Sequence, residues 1–249
     1  MIRPAPGLVL TCEHAGNCVP PAYRHVFPSH RALLTSHRGW DPGIYPVALA
    51  VSRALRVPLK AHFVTRLLVE TNRSLTHPDL FSKITRSLPA DEKQRVLERY
   101  YHPHRARVVA LLQRVIDAGH PALHLGFHSF TPVWNGAVRT VDIGLLYDPA
   151  RPGERSYCFV LKRLLERTHP EWRIRMNRPY RGTSDGLTTA LRKRWPDRSY
   201  RGIEIEINQA LLGRARDRTR IARSLAQCLI AASTEGENQA ALPRGKRHY

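Results

Sequence analysis

Long hydrophobic runs are missing from this sequence. No stretch reaches the roughly eighteen consecutive apolar residues that a membrane-spanning helix needs. The short apolar segment 7–12 is followed at once by Glu13 and His14, which no signal peptide has. With 42% hydrophobic and 24% charged residues over 249 positions, the composition is that of a globular chain. We therefore expect a soluble, cytoplasmic protein that does not interact with a membrane.

Cysteine motifs are also missing. The four cysteines form no C-x-x-C pair and lie too far apart for a zinc finger, so neither a thiolate metal site nor a disulfide framework is indicated. The motif H-E-x-x-H is absent, which excludes the helix-borne site of zinc proteases. We expect four reduced and mostly buried thiols.

Acidic residues are few. Twenty Asp and Glu stand against forty Lys and Arg, which gives a formal net charge of +20, and only six of the forty are lysines. Such an excess attracts phosphate backbones, anionic membranes or small acidic substrates. The arginines are spread along the chain, and no basic stripe alternates with aromatic residues. This pattern favours a solvated surface over a nucleic-acid groove.

Strand and helix patterns alternate along the chain. Apolar runs predict strands at 7–12, 58–65, 67–70, 122–127, 143–147, 172–176 and 202–208. Helical spacing predicts helices at 44–55, 91–118 with a kink or break at Pro103, 154–168, 187–195 and 216–232. This order indicates an α/β fold, a three-layer α/β/α domain with a mixed central sheet. We expect residues 1–232 to form one domain and 233–249 to be a mobile tail.

Two histidines stand at the ends of predicted strands, where α/β proteins place their chemistry. His14 follows strand 7–12 and His128 follows strand 122–127. Neutral imidazole is a common zinc ligand, and two histidines with one carboxylate leave a coordination position open. A histidine at a strand end can equally be a simple hydrogen-bonding residue. Asp41, in the turn-rich segment 37–43, is either the carboxylate ligand or the cap of the helix that starts near Ile44.

Two further segments carry charged side chains beside apolar ones. Segment 65–73 holds two arginines and an asparagine, which suit the capture of a carboxylate and the polarisation of a carbonyl, or else form a salt-bridged edge strand. In strand 202–208, Glu204 and Glu206 point to the same face because side chains alternate. One of them is a candidate general base, and the other is its partner or part of an ion pair.

Five motifs in order resemble the N-formylglutamate amidohydrolase family over about residues 8–212. They are residues 12–17 with Val19-Pro20, 37–43, 65–73, 128–132 with Gly136 and Arg139, and 202–209. The resemblance implies a phosphorylase/hydrolase-like fold, similar to the zinc carboxypeptidases and the aspartoacylase-type deacylases. It also implies hydrolysis of an N-acyl amino acid, with N-formyl-L-glutamate and water giving formate and L-glutamate.

The resemblance further implies a Zn²⁺ cofactor held by His14 and His128. In the wider zinc group the first metal motif is His-x-x-Glu, whereas Asn17 stands in the place of that glutamate here. We therefore expect Asp41 as the third ligand, with Glu13 as the alternative.

The remaining roles follow from the same resemblance. Asn72 and Arg73 are expected to bind the substrate carboxylate, and Arg66 to stabilise the oxyanion. Glu206 is expected to be the general base, and Arg139 to bind the distal carboxylate of glutamate. Ser129 and Glu204 are additional candidates for the same site.

Two alternatives stay open at this point. The first keeps the site but changes the substrate to another N-acyl amino acid or a small acidic amide, outside histidine degradation, because one pocket residue can decide acyl size. The second is a basic nucleic-acid-binding protein on a degenerate hydrolase scaffold, whose affinity would fall steeply with salt.

Overall fold

One six-stranded sheet forms the centre of the molecule. The computed structural model describes residues 7–241, with side chains through residue 235. In spatial order the strands are β2 (Leu59–Ala61), β1 (Leu8–Cys12), β3 (Ala122–Phe130), β8 (Tyr200–Asn208), β6 (Ile143–Leu146) and β7 (Ile174–Met176). The first four are parallel, β6 runs antiparallel to β8, and β7 is parallel to β6. The mixed sheet predicted from the sequence is confirmed.

Helices cover both faces of this sheet. They are α1 (Arg31–Thr35), α2 (Ile44–Leu55), α3 (Ala90–Val96), α4 (His102–Asp117), α5 (Pro152–Thr168), α6 (Leu187–Arg194) and α7 (Ala215–Ala241). The main apolar core lies between the sheet and α2, α5 and α7, and a smaller core lies between the opposite face and α4 and α6. Helices on both faces make the three layers that the alternating pattern predicted.

The alternating sequence of β8 separates its two faces. Ile203, Ile205 and Ile207 are fully buried in the main core, whereas Glu204 and Glu206 point to the side of α4 and α6. A charged side chain on that side needs polar neighbours, because an isolated buried carboxylate is costly. The functional groups described below lie on this face.

Three strand predictions differ from the structure. The strand predicted at 58–65 is β2, which ends at Ala61. β3 continues to Phe130, so His128 lies within the strand instead of after it. Residues 67–70 form no strand. A turn bonds the Leu68 amide to the Thr65 carbonyl, and Leu68 and Val69 pack into a separate apolar cluster away from the sheet. Their apolar character therefore reflects burial in that cluster.

The helices predicted at 91–118 and 216–232 differ in detail from those observed. The kink or break predicted at Pro103 takes the form of a π-helical turn (Leu97–Tyr101) between α3 and α4, just before Pro103, and the backbone stays helical through it. The last helix continues nine residues past its predicted end at Ala232, so the first part of the expected tail is helical. Residues 242–249 of that tail lie outside the described residues. Within residues 7–241, none of the helices has the length and apolar character that crossing a bilayer requires.

Candidate active site

Three side chains from separate segments converge at the carboxyl ends of β1 and β3. His14 follows β1, His128 lies in β3, and Asp41 comes from the turn before α2. The two Nδ1 atoms are 3.3 Å apart, and Asp41 Oδ2 lies 3.3 Å from His14 Nδ1 and 3.2 Å from His128 Nδ1. All three residues are buried. The sequence predicted these three as a set, and the fold brings them together.

The donor set of this group fits a metal ion. Ligand atoms about 2.0–2.1 Å from a tetrahedral zinc are separated from each other by about 3.3–3.4 Å, close to the three distances found here. The groups belong together chemically as well, since two imidazoles and one carboxylate are typical zinc ligands. Among the described residues, this is the group of histidine and carboxylate side chains that meets the spacing of a metal site.

Each histidine is held by a second carboxylate at its other ring nitrogen. His14 Nε2 lies 2.6 Å from Glu70 Oε1, within hydrogen-bond geometry, and His128 Nε2 lies 3.2 Å from Glu13 Oε2, at ion-pair distance but without hydrogen-bond geometry. A carboxylate at Nε2 favours the tautomer with its hydrogen on that atom, assigned here from the partner. Both Nδ1 lone pairs then point toward the Asp41 oxygen. In this tautomer three acceptors surround one point, where either a metal ion or protons on the two imidazoles, whose pKa values the neighbouring carboxylates raise although burial opposes this, would offset them.

Asp41 does not cap the helix that follows it. Gly43 occupies the N-cap position of α2, and no side chain caps that helix. The Asp41 carboxylate instead accepts the Ser129 amide at 3.1 Å, in addition to its two imidazole contacts. Although burial acts to raise it, the histidines hold the pKa of Asp41 far below its usual range, so this carboxylate is ionised.

Glu206 faces the same space from β8. It is the register partner of His128, so the pleat directs both side chains to one face. Burial raises the pKa of Glu206 to about 8, with the carboxylates of Asp41 and Glu204 acting in the same direction. Its Oε2 atom is buried and has no hydrogen-bond partner among the described residues. Glu204 is half-buried and accepts a hydrogen bond from the Thr188 hydroxyl at 3.2 Å.

Arg66 lies at the edge of the group, 28% exposed. Its Nε donates to Glu70 Oε2 at 2.6 Å, and its Nη1 makes a longer contact of 3.4 Å with Asp41 Oδ1. The guanidinium thus joins two carboxylates that each contact His14. Beside Arg66 and His14, the pKa of Glu70 is held well below its usual value despite burial.

Asn72 and Arg73 belong to a tight turn directly after Glu70. The Arg73 amide donates to the Glu70 carbonyl at 3.2 Å, and the Asn72 amide donates to Glu70 Oε1 at 3.0 Å. The Asn72 side-chain oxygen accepts the Leu187 amide at 2.8 Å, and Arg73 Nη1 donates to the Asp185 carbonyl. Both side chains are half-buried, and no carboxylate within the described part of the chain forms an ion pair with Arg73.

Arg139 lies on a separate hairpin, β4 (Val133–Trp134) and β5 (Ala137–Val138), just after its second strand. The guanidinium lies 5.2 Å from the ring centres of Trp134 and Tyr180 and 5.5 Å from that of Phe130. Its Nη1 donates to the Tyr180 hydroxyl at 3.2 Å. Aromatic faces hold the cation in place while leaving much of its hydrogen-bonding edge unused.

The other sequence candidates take positions around this centre. Asn17 donates its amide to the Leu34 carbonyl at 3.0 Å, away from the His-Asp-His group. Glu13 contacts the Nε2 side of His128, opposite the Nδ1 atom of the group. The Ser129 hydroxyl donates to the Pro42 carbonyl at 3.2 Å and accepts the Gln209 amide at 3.1 Å.

The sequence did not predict that Glu70 belongs to the site, where it contacts both His14 and Arg66. It lies in segment 65–73, whose arginines and asparagine suggest ligand binding, and the sequence predicts it only as a strand residue. The available signal was its spacing of four residues from Arg66, which suggests an ion pair within a compact turn. Nothing in the sequence indicates that its second oxygen contacts His14.

Polar side chains gathered at the carboxyl ends of parallel strands, beside a buried carboxyl with a raised pKa, form the kind of site at which an α/β enzyme carries out its chemistry. The chain belongs to the N-formylglutamate amidohydrolase family, whose model matches residues 7–212. The protein is therefore an amidohydrolase, as the five sequence motifs implied.

Two solved structures share this fold. That of a gene product from Agrobacterium tumefaciens matches with a TM-score of 0.82 and 26% sequence identity, over 93% of this chain and 92% of that one. The N-formylglutamate amidohydrolase from Ralstonia eutropha JMP134 matches with a TM-score of 0.69 and 18% identity, over 94% of each chain. No curated protein sequence matches this chain significantly.

Proposed function

We propose that this protein hydrolyses the amide bond of an N-acyl amino acid, with N-formyl-L-glutamate as its substrate and a divalent metal, Zn²⁺, as its cofactor. The observation that carries the proposal is the buried group of His14, Asp41 and His128, with atoms 3.2–3.3 Å apart and Glu206 as the strand partner of His128.

His14, Asp41 and His128 would hold the metal, with Glu70 and Glu13 fixing the two imidazoles from behind. A zinc ion bound there supplies Lewis-acid chemistry, polarising an amide carbonyl and making water more acidic. The remaining steps belong to side chains of the protein.

Glu206 is the general base and acid of this proposal. Its unpartnered Oε2 is available to take a proton from the attacking water and to pass it to the amide nitrogen as the C–N bond breaks. A pKa of about 8 suits a group that must both accept and release a proton near neutral pH. Arg66 would donate to the developing oxyanion, an interaction worth about 3 kcal/mol in comparable sites.

The substrate would be held through its two carboxylates. Arg73, assisted by the Asn72 amide group, binds the α-carboxylate, and Arg139 binds the distal carboxylate of the glutamate side chain. Bidentate pairing of a guanidinium with a carboxylate gives both affinity and orientation. Neither arginine forms an ion pair with a carboxylate of the described residues, which leaves each one available for an anionic ligand.

The test is formate release from N-formyl-L-glutamate by purified protein, before and after chelation and again after addition of zinc. Release that is lost on chelation and restored by zinc supports substrate and metal together. No release from folded, zinc-containing protein would move the substrate to another acyl group, which kcat/KM values for acetyl- and succinyl-glutamate would identify. A protein that neither binds zinc nor releases formate would contradict the proposal.

A further inference from the structure

The turn that carries Glu70, Asn72 and Arg73 has little support of its own. It contains no helix or strand and is closed by the bond from the Arg73 amide to the Glu70 carbonyl. Yet it holds both the carboxylate that orients His14 and the guanidinium proposed to bind substrate. Such a turn needs support from a rigid element if its side chains are to keep their positions.

Part of that support comes from the Asn72 contact with the Leu187 amide at the start of α6, and the rest comes from the start of α4. The buried Tyr101 hydroxyl, at the end of the π-helical turn, donates to the Arg73 carbonyl at 2.7 Å. Arg105 Nη1 donates to the Thr71 carbonyl at 3.1 Å and to the Arg73 carbonyl at 3.3 Å. The Arg105 guanidinium also lies over the Tyr101 ring, 5.1 Å from its centre. Two mutually packed side chains therefore hold two peptide units of the turn, those of the Thr71 and Arg73 carbonyls.

The same helical turn also reaches the other side of the metal group. His104 is buried, and its Nε2 lies 3.6 Å from Glu13 Oε1, a contact longer than a hydrogen bond, while the second oxygen of Glu13 contacts His128. Residues three and four positions apart share a helix face, so Tyr101, His104 and Arg105 point in similar directions. One turn of helix thereby contacts both the turn that carries Glu70, the partner of His14, and the carboxylate of Glu13, the partner of His128.

The π-helical turn explains how the helix delivers these groups. A π turn shifts the register of a helix face by one residue, and such turns are frequent at functional sites. Here it falls immediately before Pro103, and its last residue is Tyr101 itself.

We propose that Tyr101, His104 and Arg105 are positioning residues for the amidohydrolase reaction. Tyr101 and Arg105 hold the substrate-binding turn, and His104 fixes the carboxylate behind His128. The part concerning the turn rests on the proposed substrate-binding role of Arg73. The part concerning His104 rests on metal binding alone and is measured without substrate.

The first experiment measures kcat and KM for N-formyl-L-glutamate in Tyr101→Phe and Arg105→Met. Each change removes hydrogen bonds to the turn but keeps the bulk of the side chain. We expect KM to rise about three- to tenfold, the effect of losing one or two hydrogen bonds, with kcat within about twofold. Arg105→Lys should recover part of the loss, because its ammonium retains a donor.

Arg107→Met is the matched control. Arg107 lies on the exposed side of the same helix, so the change removes the same charge without touching the turn. Thermal melting of every variant separates positioning from stability. A lower melting temperature with unchanged KM in both Tyr101→Phe and Arg105→Met would overturn the assignment for the turn.

The second experiment measures zinc affinity by competition with a chromophoric chelator. We expect His104→Ala to bind zinc about 10- to 100-fold more weakly, the usual effect of losing an outer partner of a metal site. His104→Gln, whose amide nitrogen can occupy the place of Nε2, should recover part of the affinity. The control is His102→Ala, an exposed histidine of the same helix.

The outcomes distinguish this inference from the proposed function. If the native protein releases no formate yet binds zinc, the proposed substrate is wrong, while the zinc affinity of the His104 variants still decides the role of His104. If the native protein is active and His104→Ala binds zinc as tightly as His102→Ala does, the role of His104 is wrong although the function holds.

Discussion

His128 and Glu206 face each other across β3 and β8 as direct register partners. Paired residues of neighbouring strands point to the same side. One strand therefore carries a histidine of the His-Asp-His group, and the next carries Glu206, whose Oε2 has no hydrogen-bond partner among the described residues. On the other side of Glu206, β6 places Gly144 in register with it. A Cβ at Gly144 would lie 2.0 Å from the Arg178 carbonyl oxygen, so only glycine lets that chain segment pass beside Glu206.

This pairing makes Glu206→Gln the direct test of proton transfer. The amide keeps the shape of the side chain but cannot accept the proton of the attacking water, so kcat should fall about 10²- to 10⁴-fold. Zinc content and KM should change little. Glu204→Gln is the control, because it removes a carboxylate two residues away on the same face. Equal losses in both variants, or full activity in Glu206→Gln, would remove Glu206 from this role.

Much of the fold could be predicted because it depends on local patterns. The alternation of β8 and the helical spacing of α2 are properties of nearby residues, and both elements appear where the sequence placed them. The strand predicted at residues 67–70 is absent for a physical reason. Their apolar side chains serve a cluster contributed by distant segments, including Tyr23 and Leu80. Periodicity in the sequence indicates that a side chain is buried, but it does not indicate which other segments pack against that side chain.

The site could be predicted where position along a strand decides it. His14, Asp41 and His128 were named as a set, and the fold brings their donor atoms together. The carboxylates behind the imidazoles were harder, because Glu13 and Glu70 act through contacts between residues 56 to 115 positions apart. Only the family resemblance singled out Arg139. Two of the rings around its guanidinium, Phe130 and Trp134, are near it in sequence, whereas Tyr180 comes from a distant segment.

Loss of any member of the His-Asp-His group should abolish stoichiometric zinc. His14→Ala, Asp41→Ala and His128→Ala each leave two ligands in a buried site, which is too few to compete for zinc with water and a chelator. Metal content after dialysis, measured by elemental analysis, checks this. His25→Ala is the control because His25 is exposed and is not a member of the group. Retention of one zinc per chain in all three variants would contradict the assignment.

Removal of one guanidinium should change substrate preference instead of turnover. If Arg139 binds the distal carboxylate, Arg139→Gln should raise KM for N-formyl-L-glutamate while leaving KM for N-formyl-L-glutamine nearly unchanged. Charge-assisted hydrogen bonds of this kind contribute about 1.5–3 kcal/mol, or about 10- to 150-fold. Arg73→Ala should weaken both substrates, because each has an α-carboxylate. An equal effect of Arg139→Gln on both substrates would place Arg139 outside the distal subsite.

His124 should make the protein sensitive to mild acid. It is buried beneath the site, and its ring nitrogens lie 2.8 Å from the hydroxyls of Thr11 and Tyr200. Burial lowers its pKa from the ordinary 6.5 to about 4. Between these values the unfolded chain binds a proton at this residue that the folded protein does not bind. The contribution of His124 to stability is therefore complete above pH 6.5 and is lost as the pH drops toward 4, by about 3 kcal/mol in all.

Urea unfolding of the wild type and of His124→Gln at several values between pH 7.5 and 4 measures this contribution. The glutamine variant has no titrating group at this position, so it should start less stable at pH 7.5 and lose less on acidification. His62, whose pKa burial lowers to about 3, contributes a loss of the same sign, so the variant keeps part of the slope. Because exposed His25 has no such environment, His25→Gln should follow the wild type. Parallel curves for wild type and His124→Gln would show that His124 is protonated to the same extent in both states, which its burial between two hydroxyls argues against.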